Sequence, residues 1–141
     1  MRKWILLLIT ILSLCSSAAR ADAFDDVVEA YNNDDYVLVL EILRPLAAQG
    51  VAEAQYQLGF IYHMGKGVAQ EYQEAAKWYR LAANQGHAVA QNNLGWLYNE
   101  GNGVTQDYQE AAKWYNLAAK QGHTAAQNNL GAMYSRLGME I

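Results

Sequence analysis

Residues 52–87 read AEAQYQLGFIYHMGKGVAQEYQEAAKWYRLAANQGH, and residues 88–123 follow without a gap as AVAQNNLGWLYNEGNGVTQDYQEAAKWYNLAAKQGH. The second stretch is the first written again 36 positions later. A third copy starts at Thr124, with Ala126-Gln127, Leu130-Gly131 and Tyr134 in register, and keeps only the first half of the pattern. A period of this length marks stacked units, none of which can bury its apolar face alone. The chain is therefore read as a solenoid, and solenoids mostly bind other molecules.

Each copy holds two helical periods. Ala54, Leu58, Ile61 and Tyr62 share one face of a first helix; Ala90, Leu94, Leu97 and Tyr98 repeat it. Gly65-Lys66-Gly67-Val68 and Gly101-Asn102-Gly103-Val104 then stop the helix, since paired glycines permit backbone angles closed to other residues. A second helix is expected from Glu71 or Asp107, where Asp107 and Glu110 have capping-box spacing. Its apolar stripe is Tyr72, Ala75, Ala76, Tyr79, Ala82 and Ala83, and it ends at Gly86. Gly59, Gly95 and Gly131 fall inside first helices, where glycine costs about 1 kcal/mol relative to alanine. Close approach of the partner helix, with Ala75-Ala76 as its surface, would justify that cost. Gly95→Leu is then expected to overpack the contact. Trp78 and Trp114 stand at one place in successive copies and are expected to pack between neighbouring units.

Upstream, residues 22–51 read as a degenerate hairpin. Phe24, Val27, Val28 and Tyr31 fit a first helix, Asn32-Asn33-Asp34 a turn, and Asp35 the start of a second helix. Tyr36, Leu43 and Gly50 precede Tyr72, Tyr79 and Gly86 by 36 positions, so the loop between these two helices is about five residues shorter than in later copies. Asp22, Asp25, Asp26, Glu29, Asp34, Asp35 and Glu41 face no base in that span. A terminal cap with a solvated outer face has this composition; an acidic docking patch is the functional alternative.

Residues 1–21 have the grammar of a secretory signal: Arg2 and Lys3, an apolar run from Trp4 to Leu14, then Ala19-Arg20-Ala21, with cleavage expected between Ala21 and Asp22. The run is short of the ~18–20 residues of a membrane span. Leu14 before Cys15 argues against a lipid-anchored cysteine. The protein is thus expected to be secreted, into the periplasm or beyond it, with no stable membrane insertion after cleavage. Loss of Arg2, Lys3 and Arg20 would take the 10 basic residues to 7 against 14 acids, a net charge of −7. A nucleic-acid partner would want the opposite sign, so none is expected. The single cysteine would leave too, so the domain is expected to rely on its packed core.

The constant residues form a combined pattern: A-x-A-Q-x-x-L-G-x-x-Y, G-x-G-V, D-Y-x-x-A-x-x-W-Y-x-x-A-A and a closing glycine. Residues 52–87 and 88–123 follow it nearly throughout, with Glu71 where Asp is usual. In this the chain resembles the Sel-one-like repeat family, a branch of the tetratricopeptide-like α-solenoids. The resemblance implies an all-α fold of antiparallel helix pairs in a right-handed superhelix, first helices lining the concave side. It also implies adaptor or scaffold roles, with no particular ligand. Some secreted members carry a cysteine pair in each repeat; residues 22–141 have none, so activities of that subgroup are not carried over. Residues 124–141 make a partial repeat with a first helix only.

The two full copies differ at 12 of 36 positions, eight of them in the first helix and its exit. Positions 53, 56, 57, 60, 63 and 64 share a face distinct from the Ala54-Leu58-Ile61 face, which leaves them free of packing duty. The candidate binding residues follow: Tyr56, Gln57, Phe60 and His63, then Asn92, Asn93, Trp96 and Asn99, then Asn128 and Asn129. Asparagine amides suit a peptide backbone, and Phe60 and Trp96 suit an anchor side chain. The opposing reading is that both aromatics merely fill the interior.

Catalysis finds little support. Ser135 is the only serine after residue 21, and no cysteine remains there as nucleophile. His63, His87 and His123 have no short metal-ligand spacing. Gly65-x-Gly67 lies between helices, without the strand a phosphate loop requires. The reading is a non-enzymatic adaptor with a protein or peptide partner and no metal or cofactor. Its alternatives are an assembly module completed by self-association through the C-terminal half repeat (Met133, Leu137, Met139) and, more remotely, a cell-wall-directed hydrolase.

Overall fold

The computed structural model describes residues 16–139. The expected signal therefore lies outside the described residues up to position 15, and its last residues belong to the first helix. Among the described residues seven helices run in order: α1 (Ser17–Asn32), α2 (Tyr36–Ala48), α3 (Ala52–Met64), α4 (Tyr72–Asn84), α5 (Ala88–Glu100), α6 (Tyr108–Lys120) and α7 (Thr124–Leu137). No strand occurs among the described residues. Each helix packs on its neighbours in sequence, and α5 also touches α7. This is an α-solenoid of helix pairs, with α1, α3, α5 and α7 as the first helices of successive units.

Local chemistry sets the boundaries. The Asp107 carboxylate accepts from the Gln109 and Glu110 amides at 2.9 and 3.1 Å, and Asp35 accepts from Leu38 at 3.1 Å. These bonds satisfy amides that a helix start leaves free. The expected capping box is half made, because Glu110 takes Lys113 as its partner at 3.3 Å. Glu71, in the same position as Asp107, makes no side-chain cap. His87 and His123 cap α5 and α7, each Nδ1 accepting from the amide three residues on at 3.2 Å. Gly101 closes α5 in the left-handed region, at φ 72°. Gly103, at φ 69°, lies against the Tyr72 backbone, where any Cβ would collide. That contact seats each loop on the unit before it.

The core forms three clusters: the first spans α1, α2 and α3, the second centres on α4 and α5, and the third on α6 and α7. Trp78 packs on the first cluster and the buried Trp114 on the second, so the tryptophans do join neighbouring units. Gly59 and Gly95 do permit close approach, and the surface they meet is first the tyrosine ring and then the backbone of the first alanine of the pair. A Cβ on Gly59 would stand 2.7 Å from the Tyr79 ring and 3.3 Å from the Ala75 carbonyl. On Gly95 it would stand 2.8 Å from Tyr115 and 3.2 Å from the Ala111 carbonyl.

A ladder of glutamines also links the units. Gln55 and Gln91 are buried, and donate to the carbonyls of Ala47 and Ala83 at 3.2 and 3.1 Å. Gln85 donates to the Gly50 carbonyl at 2.9 Å and to Gln55 Oε1 at 2.8 Å. Gln121 does the same to Gly86 and Gln91, both at 2.9 Å. The buried carbonyls of Ala47 and Ala83 and the exposed ones of Gly50 and Gly86 thus find partners at the junctions.

Two expectations about the ends need correction. The outer face of the first unit is not wholly solvated polar surface: Val37 is 71 % and Leu38 41 % exposed, where later copies carry Gln73 and Glu74. At the other end, Met133 is buried in the third cluster and Leu137 packs against it. Of the three residues expected to drive self-association there, only Met139 is exposed, because α7 uses its apolar side against α6.

Candidate binding trough

Between consecutive first helices runs a trough whose floor is a residue of the intervening second helix. Its middle section is filled. Trp96 of α5 stacks on His63 of α3, with ring centres 5.1 Å apart and planes 15° apart. His63 Nδ1 lies 3.1 Å from the Tyr79 hydroxyl beneath. Tyr56 stacks on His87 at 4.7 Å and on Tyr79 at 6.1 Å, and Phe60 sits 6.4 Å from Tyr56.

The trough opens on either side because the filling residues change. One unit on, Asn99 replaces His63 and Ala132 replaces Trp96. A space of about 250 Å³ appears, lined by Trp96, Asn99, Glu100, Tyr115, Asn129 and Arg136 among others. One unit back, Leu43 replaces Tyr79. Here an apolar cavity of about 210 Å³ lies between Val27, Val28, Tyr31 and Leu43 on one side and Tyr56, Gln57 and Phe60 on the other.

All ten candidate residues lie on α3, α5 and α7, and most of them border this trough. Apart from the exposed Asn128, they are not free of packing duty, as their spacing suggested. Asn92 and Asn99 are buried. Asn92 accepts from Asn129 at 2.9 Å and donates to Asn93 at 3.3 Å. Asn99 accepts from Arg136 at 2.7 Å and donates to Glu100. Asn92 and Asn99 thus each make one bond across units, to Asn129 and Arg136, and one to their neighbour in sequence. Gln57 donates to Glu53 at 2.8 Å. Asn128 is exposed; Tyr56, Gln57, Phe60, His63, Asn93, Trp96 and Asn129 are half-buried.

The electrostatics follow from burial. Burial holds the His63 imidazole below its ordinary pKa of 6.5. It raises Tyr56 and, strongly, Tyr79, and pushes Tyr115 up to about 12. The hydrogen bond with His87, at 3.0 Å, keeps the Glu53 carboxyl below its usual range. Around neutral pH the floor of the trough is therefore uncharged, and charge sits at its rim. Among the described residues no group of three His, Cys, Asp or Glu side chains is placed to hold a metal ion, and no helix is long and apolar enough to cross a membrane.

The Val28–Leu43 cavity and the glutamine ladder were missed from sequence. The signal for the cavity was available: Leu43 stands 36 positions before Tyr79.

Residues 52–87, 88–123 and 124–138 match the family model of the Sel1 repeat. No curated protein matches the chain. Among solved structures, a Sel1 repeat protein from Oxalobacter formigenes is similar at 36 % identity and TM-score 0.73, over 79 % of this chain and 46 % of that one. A protective antigen present in uropathogenic Escherichia coli strains, displaying an SLR fold, is similar at 44 % identity and TM-score 0.67, over 69 % of this chain and 21 % of that one. The chain thus spans less than half the length of either. Helicobacter pylori cysteine rich protein B shares the fold at 19 % identity and TM-score 0.63, over 83 % of this chain and 99 % of that one.

Proposed function

This chain belongs to the Sel1 repeat family, and on that premise we propose that it is a secreted protein-interaction module holding an extended segment of a partner protein in the trough between its first helices. One observation carries the reading. First-helix positions that vary between copies, among them 56, 57, 60 and 63, border a trough that is packed in its middle and open on both sides. Cavities that stay open in an otherwise close-packed stack suit inserted side chains. The bonded amides set the shape of the trough, and the half-buried aromatics supply contact area.

The test uses peptides selected from a random display library on the purified protein. Phe60→Ala/Trp96→Ala should weaken their binding by at least about tenfold, or 1.4 kcal/mol. Unchanged affinity in a stably folded double variant refutes the reading. Secretion has its own test. Cleavage after Ala21 would shorten α1 but keep its buried residues Ala23, Val27 and Ala30. N-terminal sequencing of exported protein should begin at Asp22, and an unprocessed N-terminus argues the reverse.

A second reading, assembly through self-association, draws on the exposed Val37 and Leu38 of the first unit. Light scattering decides it: a monomer at high concentration removes this reading.

A further inference from the structure

The apolar cavity beside α1 arises from one exchange between units. In the second and third units a tyrosine of the second helix, Tyr79 or Tyr115, lies tightly over a glycine of the first, Gly59 or Gly95. In the first unit the tyrosine position is Leu43. The glycine position follows from the buried pattern: Ala23, Val27 and Ala30 recur as Ala54, Leu58 and Ile61, 31 positions later, which sets Val28 on Gly59. Leucine lacks the outer half of the ring and the hydroxyl. Val28, 57 % exposed, stands at the cavity mouth rather than filling it. The space of about 210 Å³ that remains has apolar walls and the place of a missing aromatic ring.

The lining itself holds no charged residue, and two carboxylates stand one helical turn from it. Asp25 stands one turn before Val28 on α1 and is exposed. Glu53 stands one turn before Gln57 on α3, where its hydrogen bonds with Gln57 and His87 fix it in place. Asp26, Glu29 and Asp35 of the same unit line a separate hollow beside Leu38 and Ile42 and take no part here. An apolar slot between carboxylates selects an apolar side chain with cationic neighbours, because opposite charge at the rim steers and orients the incoming chain.

We propose that this cavity is the anchor subsite for a peptide bearing an aromatic side chain flanked by lysine or arginine, the aromatic ring entering where the other units place their own tyrosine. The proposal rests on the trough reading and adds to it the chemistry of the partner.

Three short labelled peptides in one Gly/Ser frame test it by fluorescence anisotropy: Phe between two Lys, Phe between two Glu, and Ala between two Lys. The first should bind, and the other two at least about tenfold more weakly. Val28→Gly/Leu43→Tyr restores the pair used by the other units, fills the cavity, and should abolish binding without lowering Tm. Val28→Lys, a surface change at the mouth, should do the same and serves if the double variant folds poorly. Asp25→Asn/Glu53→Gln should weaken binding and flatten its dependence on salt.

Equal binding of the Glu-flanked peptide, no binding of the Lys-flanked one, or full binding by both cavity variants overturns the proposal. If library-selected peptides still bind through Phe60 and Trp96 in those cases, the trough reading survives alone. A dimer dissociated by Val28→Gly/Leu43→Tyr would give the cavity to a second copy and also overturn it.

Discussion

Replacing Gly95 and Tyr115 by the residues of the first unit gives a quantitative check on how the units are built. A Cβ at Gly95 would stand 2.8 and 3.0 Å from two ring carbons of Tyr115, and 3.2 Å from the Ala111 carbonyl. Carbon atoms prefer about 3.5–4.0 Å. The ring is 1 % exposed, so its only relief is a shift toward the adjoining space of about 250 Å³ that it helps to line. Gly95→Val should thus cost about 1–3 kcal/mol in overpacking, reduced by a few tenths for leaving glycine in a helix. Tyr115→Leu should cost about 2–4 kcal/mol for lost burial and the cavity left behind. If independent, the two would together remove about 3–7 kcal/mol, a large share of a typical total stability of 5–15 kcal/mol.

Val28 and Leu43 already coexist in the first unit, however. The double variant should recover about 1–3 kcal/mol relative to the sum, since contacting residues couple on this scale. It should not regain full stability, because the first unit pays for the same pair with a cavity. Thermal melts and urea titrations of the parent protein, both single variants and the double variant measure the coupling, at about 3–6 °C of Tm per kcal/mol for a domain of this size. Additivity within about 0.5 kcal/mol would refute the steric account.

Two further outcomes follow from polar groups. Gln55→Ala removes a buried amide that donates to Ala47 and accepts from Gln85, and should cost about 1–3 kcal/mol; Gln127→Ala, at an exposed site with a 3.4 Å bond, should stay within about 0.5 kcal/mol, and equal losses in urea titrations would disprove the ladder's role. His63 has its folded pKa lowered by burial, so the unfolded chain binds the proton more readily; stability should be complete above about pH 6.5 and fall as pH drops through the folded value. His63→Asn, the choice made at Asn99, should flatten Tm between about pH 8 and pH 5, and parallel slopes in parent and variant would contradict this.

The helix pairs were legible because the same letters return at the same spacing: Leu58 with Leu94, Gly59 with Gly95, and Gly65 with Gly101 each face one physical environment twice. The trough was legible in outline, since variation marks where packing constrains least. What sequence could not supply was the depth of each side chain. Asn92 and Asn99 look like solvent-facing amides by spacing, yet both are buried in bonds to the next unit. The His63–Trp96 stack joins residues 33 positions apart, a separation no single-helix pattern encodes. The apolar cavity was hidden for another reason. It comes from a departure at Leu43, and attention to what recurs passes over it.

The glutamine ladder has a consequence for how such a chain can change its length. Every rung is drawn from the repeated letters: Gln55, Gly50 and Gln85 in one rung, Gln91, Gly86 and Gln121 in the next. Inserting or excising a whole 36-residue block at a junction leaves each donor facing an equivalent acceptor. A block one residue longer or shorter would turn a junction glutamine away from its carbonyl and strand it. The hydrogen bonds therefore act as a ruler for recombination, under which duplication of a complete unit is tolerated and slippage within a unit is penalised. Homologous exchange between the near-identical second helices, in register by construction, would satisfy that ruler without any further adjustment.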